Sequence, residues 1–131
     1  MEKIYDHANT LLAIILRPNQ IREEKFFATE NSQEMQVAFF NLKKDTVIDN
    51  HIHLKQNRNI HSTSEVIVVL NGEIEVSIFD NDKNLVCKHK LISGETVALF
   101  EGGHGIKIIE DATLVESKQG PYLEEIDKVR F

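Results

Sequence analysis

The chain has a single cysteine, no apolar run of membrane-spanning length and no excess of positive charge. Each shortage excludes something. A lone thiol, Cys87, cannot close an internal disulfide, so the fold does not depend on an oxidising compartment. Cys87 lies in the strand-like run around Val86 and Lys88 and reads as a structural thiol. The net charge of -6 repels phosphate backbones and anionic lipid surfaces, so neither nucleic acid nor a membrane is expected as a partner. The apolar run Leu11–Leu16 near the start is only six residues long and follows Glu2 and Asp6. A secretory leader needs a basic start and a longer apolar stretch, and a membrane span needs about 20 residues. A cytoplasmic protein is the expectation. Tandem repeats, low-complexity tracts, linkers and long helix-period patterns are also missing.

The chain does have enough length for a core. With 131 residues one domain is expected, and a chain near this size buries roughly two-thirds of its unfolded surface. Hydrophobic residues make up 41% and charged residues 27%, both ordinary for a globular protein.

Short β-like runs separated by turn residues fill most of the sequence. Leu11–Arg17 is apolar and stopped by Pro18, which predicts a buried strand. Gln20–Lys25 has room for one helical turn, and Phe26 and Phe27 must cover something. Strands are then expected over Met35–Leu42, Thr46–His53, Glu65–Leu70, Glu73–Phe79, Leu85–Ile92, Thr96–Phe100, His104–Ile109 and Thr113–Lys118. Asn71-Gly72 is the strongest short hairpin signal, and Glu110-Asp111-Ala112 reads as another turn. Glu65–Leu70 is apolar on both faces and so central, whereas Glu73–Phe79 alternates as a half-buried strand does. Eight or nine short strands without a long helix indicate an antiparallel sandwich or barrel. The barrel core is expected over about 35–118, with the strand 11–17 before it and a polar tail 119–131 after it.

Three of the six histidines and one carboxylate stand out. His51 and His53 are two apart, so on a strand they share a face and can converge on one ion. His104 opens a strand whose Ile106 and Ile108 share its side, which turns it inward. Glu65 opens the central strand on the side of Ile67 and Val69, where a bare carboxylate is costly. Two imidazoles, a carboxylate and a third imidazole would relieve one another's burial through a metal ion. Taken singly, each is as well explained as a hydrogen-bonded interior or surface residue. His61 and Arg58 sit in the polar loop 54–64, Arg58 being suited to an anionic substrate. His7 and His89 read as structural or solvated.

At these residues the chain resembles the cupin superfamily, whose first motif is G-x5-H-x-H-x3,4-E-x6-G and whose second is G-x5-P-x-G-x2-H-x3-N. His51, His53, Glu65 and Gly72 follow the first. Eleven residues instead of three or four separate His53 from Glu65, and Asp45 stands where the first glycine is expected. Gly94 and Gly102 follow the second, with Phe100 for proline and His104 one residue early. The chain also resembles a group of small bacterial and archaeal cupins found near surface-polysaccharide genes, through H-x-H-x4-R-x6-E-V, GGHG at 102–105, KQGPY at 118–122 and DKVRF at 127–131. The resemblance implies an all-β, double-stranded β-helix (jelly-roll-like) barrel. It implies His51, His53, Glu65 and His104 as ligands of a divalent metal ion such as Fe, Mn, Ni or Zn, and Arg58 as a substrate-facing group.

Three functions compete. The first is a metal-dependent isomerase or epimerase of a small sugar or sugar nucleotide in polysaccharide metabolism, with Arg58, His61 and Glu101 as candidate catalytic residues. The second is a non-catalytic metal- or sugar-binding module. The third is a metal-free ketoisomerase that uses His51 and His53 as acid and base. A homodimer is expected, with Leu11–Leu16 as a strand available for exchange.

Overall fold

In the computed structural model, which describes residues 1–123 and 127–131, one antiparallel sheet contains six strands and a second contains two. The strands are β1 (Glu2–Tyr5), β2 (Leu11–Leu16), β3 (Lys25–Phe27), β4 (Ala38–Phe40), β5 (Glu65–Phe79), β6 (Leu85–Ile92), β7 (Thr96–Leu99) and β8 (Gly103–Lys118). A 3-10 turn at Pro18–Gln20 is the one helical element among the described residues. It starts at Pro18, whose fixed φ suits a first helical position, slightly before the turn expected at Gln20–Lys25.

The large sheet runs β1-β2-β7-β5-β6, with β8 paired on β5. It is open, so the expected closed barrel is corrected to an open antiparallel sheet: among the described strands, β8 has β5 as its sole partner. Two long strands dominate it. The hairpin expected at Asn71-Gly72 does not form, and neither does the turn at 110–112. Residues 65–79 run on as one 15-residue strand against the 16-residue β8. The two turn signals face each other across the ladder, where the register slips between Val69 and Ile74. Gly72 there has φ +83, and a Cβ on it would collide with the carbonyl oxygen of Asp111. Both expected turns are corrected: the same residues form a double bulge within one paired ribbon. Such bulges bend a strand pair and increase its twist.

The bend is large. Glu65 and Ile78 are 13 positions apart on β5, about 43 Å in a straight strand. Yet His104, the register partner of Ile78, touches Glu65. The β5–β8 ribbon therefore folds back on itself. Its first half on β5 pairs with β7, and its second half with β6. Between the halves lies the main core: Leu12, Ile15, Ile67, Val69, Ile74, Val76, Ile78, Leu91 and Val97. The alternation changes phase at the bulge, which keeps Ile67 and Val69 on one side of it and Ile74, Val76 and Ile78 on the other side all facing inward. A second cluster, with Ile14, Leu16, Ile21, Ala98 and Phe100, lies under the β3–β4 hairpin. Phe26 packs against this cluster, while Phe27 stays exposed.

Leu11–Leu16 is a strand as expected, paired on both sides within the chain by β1 and β7. Thr46–His53 is not: residues 46–61 form no strand, and Val47, Ile48, Ile52 and Leu54 are exposed. The β-branched run at its start is a weak preference that needs a partner strand to be realised. No helix among the described residues is long and apolar enough to cross a membrane.

Candidate functional site

The fold-back of the β5–β8 ribbon brings two of the four expected ligands together. Nε2 of His104 lies 3.2 Å from Oε2 of Glu65. The first belongs to the start of β8 and the second to the start of β5, so neighbours in space come from opposite ends of a paired ribbon. The Nζ of Lys118, register partner of Glu65 on β8, is 3.7 Å from Oε1 of Glu65, 3.6 Å from Glu116 and 3.5 Å from Asp127. Glu65 and Lys118 are largely sheltered, and the His104 side chain is 32% exposed. His104 thus sits at a rim, less inward than its flanking pattern predicts, because β8 is an uncovered edge.

The charges support one another. Hydrogen bonding to His104 is the largest influence on Glu65 and lowers its pKa; burial opposes this, and the charges of His104 and Lys118 add to the lowering. Burial works against the Lys118 ammonium, but Glu65, Glu116 and Asp127 outweigh it and raise its pKa.

This pair opens into a cavity of about 800 Å³ along the free edge of β8, within the usual range of small-molecule sites. Glu65, His104, Glu116 and Lys118 line its core side. Glu75, Ser77, Phe79, Lys88 and Lys107, from the outer face of the β6–β5–β8 half, line the other. Residues 127–131 form the remaining wall. The ring of Phe131 stands edge-on to Phe79 at 5.2 Å, and a Cβ on Gly103 would come within 2.8 Å of it. That contact gives GGHG and DKVRF a common structural meaning: the small residue makes room for the terminal ring.

The other expected residues lie elsewhere. His51 and His53 are side by side, ring centroids 5.2 Å apart, on the exposed segment, where Nδ1 of His51 is 2.9 Å from the carbonyl oxygen of Asp49. Neither lines the Glu65–His104 cavity. No group of three or more His, Cys, Asp or Glu with metal-holding geometry occurs among the described residues. The four-residue ligand set is therefore not assembled in this arrangement. Arg58 is exposed on the same segment. Asp45, at the position of the missing glycine, has φ +67, a left-handed conformation that Asp tolerates better than most residues.

His61 and Glu101 belong to a second, smaller cluster. The carboxylate of Glu34 accepts from the backbone N–H groups of His61 and Ser62 at 2.9 and 3.1 Å and lies 2.9 Å from Nδ1 of His61. These bonds, the His61 side chain first, hold the Glu34 pKa at about 2. The hydroxyl of Ser62 donates to Glu101 at 2.5 Å. The cluster pins the end of the 46–61 segment to the body of the fold. Sequence reasoning missed Glu34 and Lys118. Glu34 carries no local signal, while Lys118 was visible only as part of KQGPY.

Residues 16–91 match a protein family described as a domain of unknown function, DUF6016. The match spans more than half of the chain. The chain belongs to the DUF6016 family. The matched region runs from the last residue of β2 into β6. It contains His51, His53, Arg58, His61 and Glu65, whereas Glu101, His104 and Lys118 lie beyond it. No curated protein and no solved structure matches the chain.

Proposed function

We propose that the chain is an isomerase or epimerase of a small sugar-like substrate, with His104 as the proton-transfer base and Glu65 as the carboxylate that orients it. The observation that carries this reading is their 3.2 Å approach inside the cavity of about 800 Å³. In the tautomer that presents Nε2–H to the Glu65 carboxylate, the lone pair of His104 is on Nδ1, and the carboxylate stabilises the imidazolium formed when that nitrogen takes a proton. His104 then removes a proton from the hydroxyl-bearing carbon next to a substrate carbonyl and returns it to the former carbonyl carbon, while the hydroxyl proton passes to the former carbonyl oxygen; in epimerisation the opposite face is reprotonated from solvent. The Lys118 ammonium offsets the negative charge that develops on the substrate oxygen.

A second reading keeps the cavity and adds a divalent metal ion, with the fold taken as an open form of the cupin barrel. Three observations favour it. The β8 residues Ile106 and Ile108 are 39% and 51% exposed, although their register partners Val76 and Ile74 are buried, so the core side of this edge is uncovered. The 46–54 segment, which carries His51 and His53, has exposed apolar residues and no strand partner. Asp45 in the left-handed conformation fits the glycine position of the first cupin motif. Such an ion would polarise the substrate carbonyl. The ligand set is incomplete as placed, so no step is assigned to it.

The test is solvent-deuterium incorporation into a panel of aldoses, ketoses and nucleotide sugars, read by NMR with and without chelator, beside elemental analysis of the purified protein. At least one sugar is expected to exchange, with His104→Ala and Glu65→Gln slowed by about 10²-fold or more. Loss of exchange with chelator, and loss of metal in His51→Ala, would select the second reading. Exchange at the wild-type rate in His104→Ala would overturn both, and a chain that binds a sugar without exchanging it is a binding module.

A further inference from the structure

The cavity concentrates positive charge in an acidic chain. Among the described residues, six of the 15 Lys and Arg line it, against five of the 21 Asp and Glu, while the chain as a whole carries -6. The lining carboxylates are already engaged. Glu65, Glu116 and Asp127 surround Lys118, and Glu75 pairs with Lys88 at 3.3 Å. Asp80 accepts from the backbone N–H groups of Asp82 and Asn84 in its own turn. Four cations remain: Lys83, Lys107, Lys128 and Arg130. None has an ion-pair partner among the described residues, though Lys83 lies 5.5 Å from the Phe131 ring and Lys128 lies 5.8 Å from that of Tyr122.

Their origins matter. Lys107 stands on the outer face of β8, in register with Glu75. Lys83 is in the β5–β6 turn, and Lys128 and Arg130 come from the 127–131 wall. Cations from three separate stretches around one concave site focus a positive potential there despite the negative total. The phosphate group suits them: it accepts from several donors at once, and Arg130 can meet it in bidentate fashion. Phe79 and Phe131 supply apolar ring surface beside the same cations.

We propose that this cavity binds a phosphorylated small molecule, its phosphate held by Lys83, Lys107, Lys128 and Arg130. The proposal deepens the functional reading above and rests on the same cavity as the substrate site: a sugar bearing a phosphate or diphosphate would lie with its reacting carbon toward Glu65 and His104. Occupancy of the phosphate site is measured without turnover, so the two ideas fail separately.

The experiment is isothermal titration calorimetry on the full chain at low salt, with pyrophosphate, inorganic phosphate and glucose as probes. Pyrophosphate is expected to bind one to one, more tightly than phosphate, with glucose giving no heat. Its affinity should fall as salt rises. Lys107→Gln and Arg130→Gln should each weaken it about tenfold, with unchanged melting temperatures. Lys55→Gln makes the same charge change on the exposed segment and should leave the affinity as it is. No pyrophosphate binding at millimolar concentration would overturn the proposal. So would equal weakening by all three substitutions, because that would mean overall charge rather than a built site.

Discussion

Replacing Gly72 by alanine tests the feature that creates the site, the double bulge at which the β5–β8 ribbon folds back. Two costs add at this position. A non-glycine residue at φ +83 carries left-handed strain of about 1–2 kcal/mol. The new Cβ also collides with the Asp111 carbonyl oxygen and comes within 2.8 Å of the Ala112 Cα. Both are backbone atoms of the partner strand, so neither can swing aside, and forced displacement in a packed region costs about 1–3 kcal/mol. The total is about 2–5 kcal/mol. Gly94 is a built-in control: its φ is +84, but a Cβ there meets nothing within 4 Å. Gly94→Ala therefore carries the strain alone, about 1–2 kcal/mol. Equilibrium urea denaturation of both variants measures the difference, and thermal melting gives it again at about 4 °C per kcal/mol for a chain of this size. Equal destabilisation within about 0.5 kcal/mol would refute the assignment of Asp111 opposite Gly72, and with it the bulge. A hairpin turn at Asn71-Gly72 would also tolerate the methyl better, since strands 65–70 and 73–79 would then pair with each other rather than with β8.

Two further outcomes follow from the packing and the charges. Ile15 is fully buried in the main core, so Ile15→Ala should cost about 2–5 kcal/mol, while Ile92→Ala, 54% exposed, should cost about 0.5 kcal/mol or less by the same denaturation assay. The Glu34 clamp should depend on acid. Its pKa is lowered in the folded chain from 4.5 to about 2, so its contribution is complete above 4.5 and is lost as the pH falls through about 2. The His61 and Ser62 amide resonances should titrate with a midpoint near the lower value, and a midpoint at the ordinary carboxylate value would show that the clamp does not form in solution.

Much of the β structure was legible because period-two burial is a local property. Leu11–Leu16, Leu85–Ile92 and Thr96–Leu99 are strands within a residue of their expected bounds. The small strands β1 and β3 were missed. Three or four residues with one buried side chain between them leave too little pattern to read. Thr46–His53 failed for the opposite reason: its composition is strand-like, but backbone pairing needs a neighbour, and none is present on the 46–61 segment. The site was half legible. An inward carboxylate on an apolar strand pointed to Glu65, and the shared face of Ile106 and Ile108 pointed to His104.

By itself, then, the sequence determined an antiparallel β protein with turn signals at Asn71-Gly72 and Glu110–Ala112, and it pointed to Glu65 and the histidines as candidate site residues. Tertiary structure decided what those turn signals do. Both flanks of Gly72 pair with the single strand β8, so a signal that locally means a hairpin becomes a fold in one long ribbon. That fold alone places Glu65 against His104, residues separated by most of the ribbon's length. It also leaves His51 and His53 outside, because their placement depends on a strand partner that no local pattern names.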